Sequence, residues 1–354
     1  MISMIAMSGG VDSSVAAALT AEQRGPEACA GVAMRLYSLP DDAARTGRTC
    51  CAPDDLYDAR RAAATLGVRF YVYDAQERFR EKVIEPFIAA YARGETPNPC
   101  VRCNDHVKFD WLLDRARALG AGELVTGHYA RVTREGGRFR LRRAADAAKD
   151  QSYFLHGLTQ EELEMVRFPL GGLTKNQVRA LARERGLPNA EKPESMEICF
   201  VGDTPLPGFL ESRGVVPEPG EVVDRDGHVL GSHEGVHRFT VGQRRGIGRG
   251  FKLPLYVDSI DAKARRVVVG TREEVQRRAF RALSPSWVDG PPVPGTRCQV
   301  QIRHRGRPLA AVLDPSGAEV EVKLLEPAVG VAPGQSAVFY AGDEVLGGAI
   351  ICAG

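Results

Sequence analysis

Two short stretches of the chain hold residue types and spacings suited to chemistry. TPNPCVRCN, residues 96–104, sets Cys100 and Cys103 three residues apart, between prolines and an asparagine. A CxxC of this kind serves a zinc site, a redox pair or part of an iron–sulfur site, or is simply two small apolar side chains. MSGGVDSS, residues 7–14, follows a short apolar run. It lacks the lysine of a GxxxxGK loop and the spacing of GxGxxG, which excludes both common nucleotide fingerprints. It is an anion cradle nonetheless. Gly9 and Gly10 let the backbone turn sharply and approach a ligand closely, and the N–H groups that open the next helix face it. Ser8, Ser13 and Ser14 add hydroxyl donors. Asp12 carries the wrong charge to meet a phosphate directly, so it would hold Mg2+ or orient the loop. The competing reading is a Ser- and Asp-rich helix cap after a strand.

The chain has eight cysteines. Cys199 lies in PESMEICF, an apolar, strand-like stretch, and offers a further thiol. Cys29, Cys298 and Cys352 sit among apolar or small residues, where buried structural cysteine is the default. The vicinal pair Cys50–Cys51, beside Ala-Pro-Asp-Asp, reads as structural, because adjacent cysteines bind one metal poorly. The start of the chain, MISMIAMSGG, has no basic region and runs straight into a glycine turn, so it does not read as a signal peptide. The thiols are then expected to be reduced, in the cytosol.

The elements that must position these residues alternate over the first 200 positions. MISMIAM, CAGVAMRL, VRFYVYDA and ELVTGHYA read as strands. Helices follow MSGGVDSS, run from Leu56 through Ala59 and Ala63 to Leu66, span 77–93 with Phe79, Val83, Phe87 and Tyr91 on one face, and span 106–119. Alternating strands and helices predict a doubly wound parallel sheet, with its ligand site at the carboxyl ends of the strands. ARVTREGGRFRLRR reads as a hairpin, and LTKNQVRALARERGLP as a helix with a Thr174/Gln177 capping box. After about residue 203 short β-branched runs replace the helical periods: EVVDRDG, HRFTVGQ, LYVDSID and RRVVVG, then CQVQIRH, LAAVLD, EVEVKLL, SAVFYAG and EVLGGAII. Such a succession suits small β-barrels. The expected division is 1–203 for the α/β domain, 204–279 for a central β-rich module and 280–354 for a C-terminal β-barrel module.

Net charge is only +2, which does not announce a nucleic-acid binder, and no apolar run approaches membrane-spanning length. The distribution says more. Residues 131–143 hold six arginines and one acid, Glu135. A second run holds Arg238, Arg244, Arg245, Arg249 and Lys252, and a third Arg303, His304, Arg305 and Arg307. Stripes of this kind suit a polyanion lying across several segments, or else are solvated faces.

SGGVDS at the first strand–helix turn resembles the PP-loop ATP pyrophosphatases, which split ATP between its α and β phosphates to adenylate a carbonyl oxygen. The ordered set SGGVDSS, TPNPCVRCN, GHYAR, KDQSYFL, SMEICF and VGQRRGIG, with PGQSAVFY near the end, resembles one branch of them over essentially the whole chain, the tRNA-specific 2-thiouridylases. The resemblance implies a PP-loop domain followed by two β modules, and an ATP- and Mg2+-dependent enzyme. It would adenylate the 2-oxo group of the wobble uridine in tRNA and replace that oxygen with sulfur, releasing AMP and pyrophosphate. Sulfur would come from a donor protein, a cysteine desulfurase or a sulfur-relay protein. The nucleotide would sit on Ala6, Met7, Ser8, Gly9, Gly10, Val11, Asp12 and Ser13, with Met34 and Gly127 beside the adenosine. Asn98, Pro99 and Cys100 would line the pocket of the flipped uridine. Cys103 matches the family's catalytic thiol and Cys199 its sulfur carrier. His128, Lys149, Asp150, Gln151, Arg303, His304 and Gln335 match positions that touch tRNA.

One departure bears on mechanism. Many members have Asp-x-x-Cys where this chain has Cys100-x-x-Cys103. With Cys199 that makes three thiolates, a set that suits a four-iron, four-sulfur cluster with one open iron, as the resemblance implies for a CxxC-containing subset. A persulfide relay through Cys199 and Cys103 is the alternative, and a zinc site would need His106 as fourth ligand. Two other functions compete: a PP-loop synthetase or amidotransferase acting on a small molecule, and a non-catalytic RNA-binding protein. The first leaves the three cysteines without a purpose. The second leaves the intact SGGVDS loop without one.

Overall fold

The computed structural model of the protein describes residues 2–37, 53–194, 198–202, 204–248 and 253–353. Cys50, Cys51, Arg249 and Lys252, and the Ser195, Met196 and Glu197 of SMEICF, lie outside the described residues. The chain divides into two units, one spanning residues 1–83, 100–203 and 343–345, the other 84–99, 204–342 and 346–354.

In chain order the α/β part runs β1 (Ile2–Ala6), α1 (Val11–Arg24), β2 (Cys29–Arg35), α2 (Pro53–Thr65), β3 (Arg69–Asp74), α3 (Gln76–Phe79), α4 (Glu85–Ala92), α5 (Pro99–Cys103), α6 (Leu113–Ala118), β4 (Ala121–Val125), β5 (Ala130–Glu135), β6 (Arg138–Arg143), α7 (Gln160–Met165), β7 (Val166–Arg167) and α8 (Lys175–Glu184). The expected parallel sheet is present, in the order β3-β2-β1-β4-β7. The chain leaves β1 toward β2 and β3, then returns to place β4 on the other side, so a topological switch point lies between β1 and β4. Alanine-rich α1 packs close: Val15, Ala16 and Ala17 are fully buried with Ile5 of β1 and Val178 and Ala182 of α8.

Phe79, Val83, Phe87 and Tyr91 are all buried, as their spacing predicts. A strict spacing of four drifts around an α-helix of 3.6 residues per turn. Here a π-helical turn, Arg80–Ile84, wider than an α-helical one, lies between α3 and α4. A second π-helical run, Asn104–Leu112, joins α5 to α6 where an ordinary helix is expected. β5 and β6 form the predicted hairpin, with Gly136 and Gly137 both at positive φ.

In the second unit α9 (Leu206–Ser212) precedes β8 (Gly220–Val223), β9 (Val229–His233), β10 (Tyr256–Asp261) and β11 (Arg266–Gly270), a sheet in the order β10-β11-β8-β9. HRFTVGQ is not a strand. It forms a 3-10 turn, Val236–Arg238, and a following loop that puts Phe239 and Ile247 under that sheet. The barrel strands are β12 (Arg277–Trp287), β13 (Thr296–Gln301), β14 (Leu309–Ser316), β15 (Glu319–Ala328), β16 (Ser336–Ala341) and β17 (Glu344–Ile351). β12 pairs with both β15 and β17, which closes them round a core of Val300, Leu313, Val320, Val322 and Phe339. No helix among the described residues is long and apolar enough to cross a membrane.

Candidate active site

The residues expected to hold the nucleotide lie at the switch point. Ala6 ends β1, and the backbone N–H of Met7 donates to Val32 O at 2.8 Å, which extends the parallel pairing by one residue. Gly9 has φ +77°, and a Cβ there would stand 2.1 Å from Asp55 O, so only glycine fits. Ser13 Oγ accepts from Ser8 N and donates to Gly10 O, closing the turn that opens α1 at Val11. Gly127, two residues beyond β4, presses on the same turn, with its missing Cβ 2.7 Å from Ser13 N. Met34 is half-buried near the end of the neighbouring β2.

Asp12 is not an isolated carboxylate. Lys175 Nζ donates to its two oxygens at 2.7 and 2.8 Å, and the Tyr129 hydroxyl donates to Oδ1 at 2.8 Å. Burial, and then the Asp12 charge beside it, push the Tyr129 phenol far above its ordinary range, so it remains a donor. Lys175 also reaches Glu194 Oε1 at 2.9 Å, and Lys149 holds Glu194 Oε2 at 2.6 Å. The segment that leads toward Cys199 is clipped once more to the loop and once to α2. Asn189 Nδ2 donates to Gly9 O and Ser14 Oγ, and Lys192 bridges Asp55 and Asp58.

Cys100 is exposed, while Cys103 and Cys199 are half-buried. The two segments that carry them dock on one support, the helical run from α3 through the π turn. Arg102, between the cysteines of α5, donates to Lys82 O at 2.8 Å. Phe200, next to Cys199, stands edge-on to Phe79, with ring centroids 5.7 Å apart. Tyr37 packs on Phe79 too, and its hydroxyl donates to Cys199 O. Among the described residues no three of Cys100, Cys103, Cys199 and His106 have ligand atoms within 4.8 Å of one another. The one set that does, Asp224, Asp226 and His228, is mostly exposed, with Asp224 occupied in capping its own turn. A larger cluster draws on three thiolates spread further apart, and the donor set Cys100, Cys103 and Cys199 fits it chemically. Beside them, burial pushes the Asp105 carboxyl up to about 7, with Glu162 adding to the shift and Arg102 opposing it.

The remaining candidates divide. His128 is buried between Phe109 and Phe168, with Nδ1 2.7 Å from Thr126 Oγ1, and burial pushes its pKa well down, so the ring is neutral. Gln151 clasps the backbone of Tyr129, and Asp150 takes Arg143 and the Ala144 and Ser152 N–H groups. Pro99 and Asn98 fall in the second unit, as do Arg303, which is exposed, His304 and Gln335. Gln335 Nε2 donates to Thr96 O at 2.7 Å, while Thr96 N donates to Pro333 O at 2.8 Å, so the barrel grips the start of TPNPC. Four of the six arginines of the first run are held in ion pairs. Arg131 and Arg142 hold Asp343 and Arg140 and Arg142 hold Glu344, acids distant in sequence, while Arg142 also holds Glu135 and Arg143 holds Asp150 nearby.

Lys175, Tyr129, Asn189 and Glu194 were not legible as site residues, although one signal existed. A lysine at the first position of a helix opposes the helix dipole, so Lys175 needs another partner to justify its place.

Three family models match in succession: the tRNA methyl transferase HUP domain over residues 2–203, the tRNA methyl transferase PRC-barrel domain over 208–271 and the Aminomethyltransferase beta-barrel domain over 277–351. Fold and site together thus define a HUP-domain protein with two β modules. A tRNA-specific 2-thiouridylase MnmA of Geobacter metallireducens is 50% identical over 351 residues, covering 98% of this chain and 95% of that protein. Its counterpart in Acidothermus cellulolyticus is 49% identical over 352 residues, covering 98% and 96%. The solved NMN synthetase of Francisella tularensis is 19% identical with a TM-score of 0.32, over 55% of this chain and 66% of that one, too slight a likeness to argue from. The chain belongs to the tRNA-specific 2-thiouridylase family, a family of enzymes.

Proposed function

We propose that this protein replaces the 2-oxygen of the wobble uridine in tRNA with sulfur, using ATP and Mg2+, with residues 1–203 carrying the chemistry and the modules 204–279 and 280–354 holding the tRNA. The observation that carries the reading is the shared support of the thiols together with their tie to the loop. Cys100, Cys103 and Cys199 hang on the helical run over Phe79 and Lys82, and Glu194, five residues before Cys199, is joined through Lys175 to Asp12. Two of the matching domain descriptions speak of methyl transfer, the relatives of thiolation. A glycine-rich anion loop, joined through Lys175 and Glu194 to the stretch that leads to Cys199, favours sulfur.

The uridine must leave its stack to reach the site. O2 attacks the α-phosphorus, the bond to the β-phosphate oxygen breaks, and pyrophosphate carries off the electron pair while N3 gives up its proton. Adenylation turns a very poor leaving group into AMP. Cys199, charged as a persulfide by the donor protein, attacks C2 with its outer sulfur and expels AMP. Cys103 thiolate then attacks the inner sulfur, which frees the thiouridine and leaves a Cys103–Cys199 disulfide for an external dithiol to reduce.

The three-cysteine set supports a second form of delivery, in which Cys100, Cys103 and Cys199 are ligands. When bound, a four-iron, four-sulfur cluster supplies one iron without a protein ligand, on which an exogenous sulfide can be held. The exposure of Cys100 favours the relay, and its presence in place of the family's usual aspartate favours the cluster.

The test is transfer of radiolabelled sulfur to tRNA by anaerobic protein with ATP and a cysteine desulfurase. Cys103→Ala and Cys199→Ala are expected to abolish it. No thiouridine from the wild type would overturn the reading. Colourless, iron-free protein that keeps full activity in Cys100→Ala would remove the cluster and leave the relay.

A further inference from the structure

The loop MSGGVDSS has no lysine of its own. A site that must release pyrophosphate gains from a cation that faces the leaving charge. α8 brings one to the loop from more than 160 residues away: Lys175 Nζ lies 2.7 and 2.8 Å from the two oxygens of Asp12. Its side chain is only 11% exposed. The main chain around it is fixed, because Lys175 N donates to Asp146 Oδ2 and Thr174 caps the helix. The four-carbon arm is the part left to move.

The partners of the ammonium allow it to move without stranding a charge. Tyr129 donates to Asp12, and Lys149 donates to Glu194, so each carboxylate keeps one donor when Lys175 leaves it. Asp12 could not hold Mg2+ and Lys175 through the same oxygens, so a Mg2+ ion held by Asp12 would leave the ammonium to face the amino end of α1, where backbone N–H groups favour an anion. A Cβ on Gly127 would stand 2.7 Å from Ser13 N, so there is no room for a side chain there that could compete.

We propose that Lys175 is the cation for the β- and γ-phosphates of ATP, supplied by α8 in place of the lysine that the loop lacks. The inference rests on the adenylation reading above and adds a residue to it. In the transfer step the α-phosphorus gains the uridine O2, its bond to the β-phosphate oxygen breaks, and the electron pair goes to pyrophosphate. Lys175 faces that charge and takes no part in proton transfer.

Binding of MgATP, AMP and inorganic pyrophosphate to the full chain without tRNA tests it. Lys175→Met is expected to weaken ATP and pyrophosphate by about 10- to 100-fold, the loss for one charge-assisted contact, and to leave AMP binding unchanged. An equal loss for ATP and AMP, or none for either, would overturn the assignment and return Lys175 to a structural ion pair. Since that variant leaves two carboxylates short of a partner, the wild type is read as well, by the rate of acetylation at Lys175. ATP and pyrophosphate are expected to protect the amine and AMP is not; equal protection by all three, or by none, overturns the proposal. A wild type that binds no ATP, or makes no thiouridine, would instead sink the adenylation reading itself.

Discussion

Glu194 carries two lysines, Lys149 at 2.6 Å and Lys175 at 2.9 Å. Burial alone would raise its pKa, but the two ammonium hydrogen bonds outweigh burial and hold the carboxyl down at about 2. A depressed carboxylate pKa stabilises the fold above the pKa of the unfolded chain, and that contribution is lost as the pH falls through the folded value. Glu194→Gln is therefore expected to lower stability by about 1–2 kcal/mol at neutral pH, with the gap between variant and wild type closing from about pH 4.5 toward 2. Urea melts of both proteins across that range check it. A gap that persists at pH 2 would mean that shape, and not charge, holds this residue.

Between elements, contact distances decide what a site can tolerate. The turn after β4 meets the amino end of α1 at Gly127, and Gly127→Ala would drive a methyl group to 2.7 Å from Ser13 N. Neither partner is the free end of a side chain, so the backbone must give, at a cost of about 1–3 kcal/mol. ATP affinity is expected to fall with stability, whereas the clamp of Gln335 on Thr96 should be undisturbed. Equilibrium unfolding and nucleotide titration of the same variant measure both; unchanged ATP binding would detach Gly127 from the nucleotide site. Much of this level was legible in sequence. Thr174 and Gln177 announced a capping box that is present, and Gly136 and Gly137 a hairpin turn. β12 was not legible, because Ser284 at φ 52° and Pro285 interrupt its alternation where the strand bulges between its β17 partners. The Lys175–Asp12 contact joins residues 163 apart, and no local period records a pairing of that kind. The CxxC was visible at once, but its shared support with Cys199 depends on Lys82 O on one side and Phe79 on the other, and the spacing of Phe79 spoke only of burial.

For the molecule as a whole, a net charge of +2 leaves little general attraction for a polyanion, so the placement of unspent arginines matters. The hairpin run is largely spent on Glu135, Asp150, Asp343 and Glu344. In the second run Arg238 is held by Glu211 and Glu234. The third differs. Arg303 lines a 390 Å³ cleft with Arg272 and Arg307, and among the described residues Arg307 is the one of the three that reaches an acid, Glu326, in a pair exposed on both sides. An exposed pair of that kind yields readily to a phosphate, since it contributes little in water. Arg303→Ala is therefore expected to weaken tRNA binding and to reduce the slope of log Kd against log salt by about 1, the signature of one lost phosphate contact. Arg142→Ala, which breaks pairs to Glu135, Asp343 and Glu344, is expected to lower the melting temperature and leave that slope alone. Filter binding at several salt concentrations separates the two. If Arg142→Ala flattens the slope and Arg303→Ala does not, the phosphates run along the hairpin after all, and its ion pairs open when tRNA arrives.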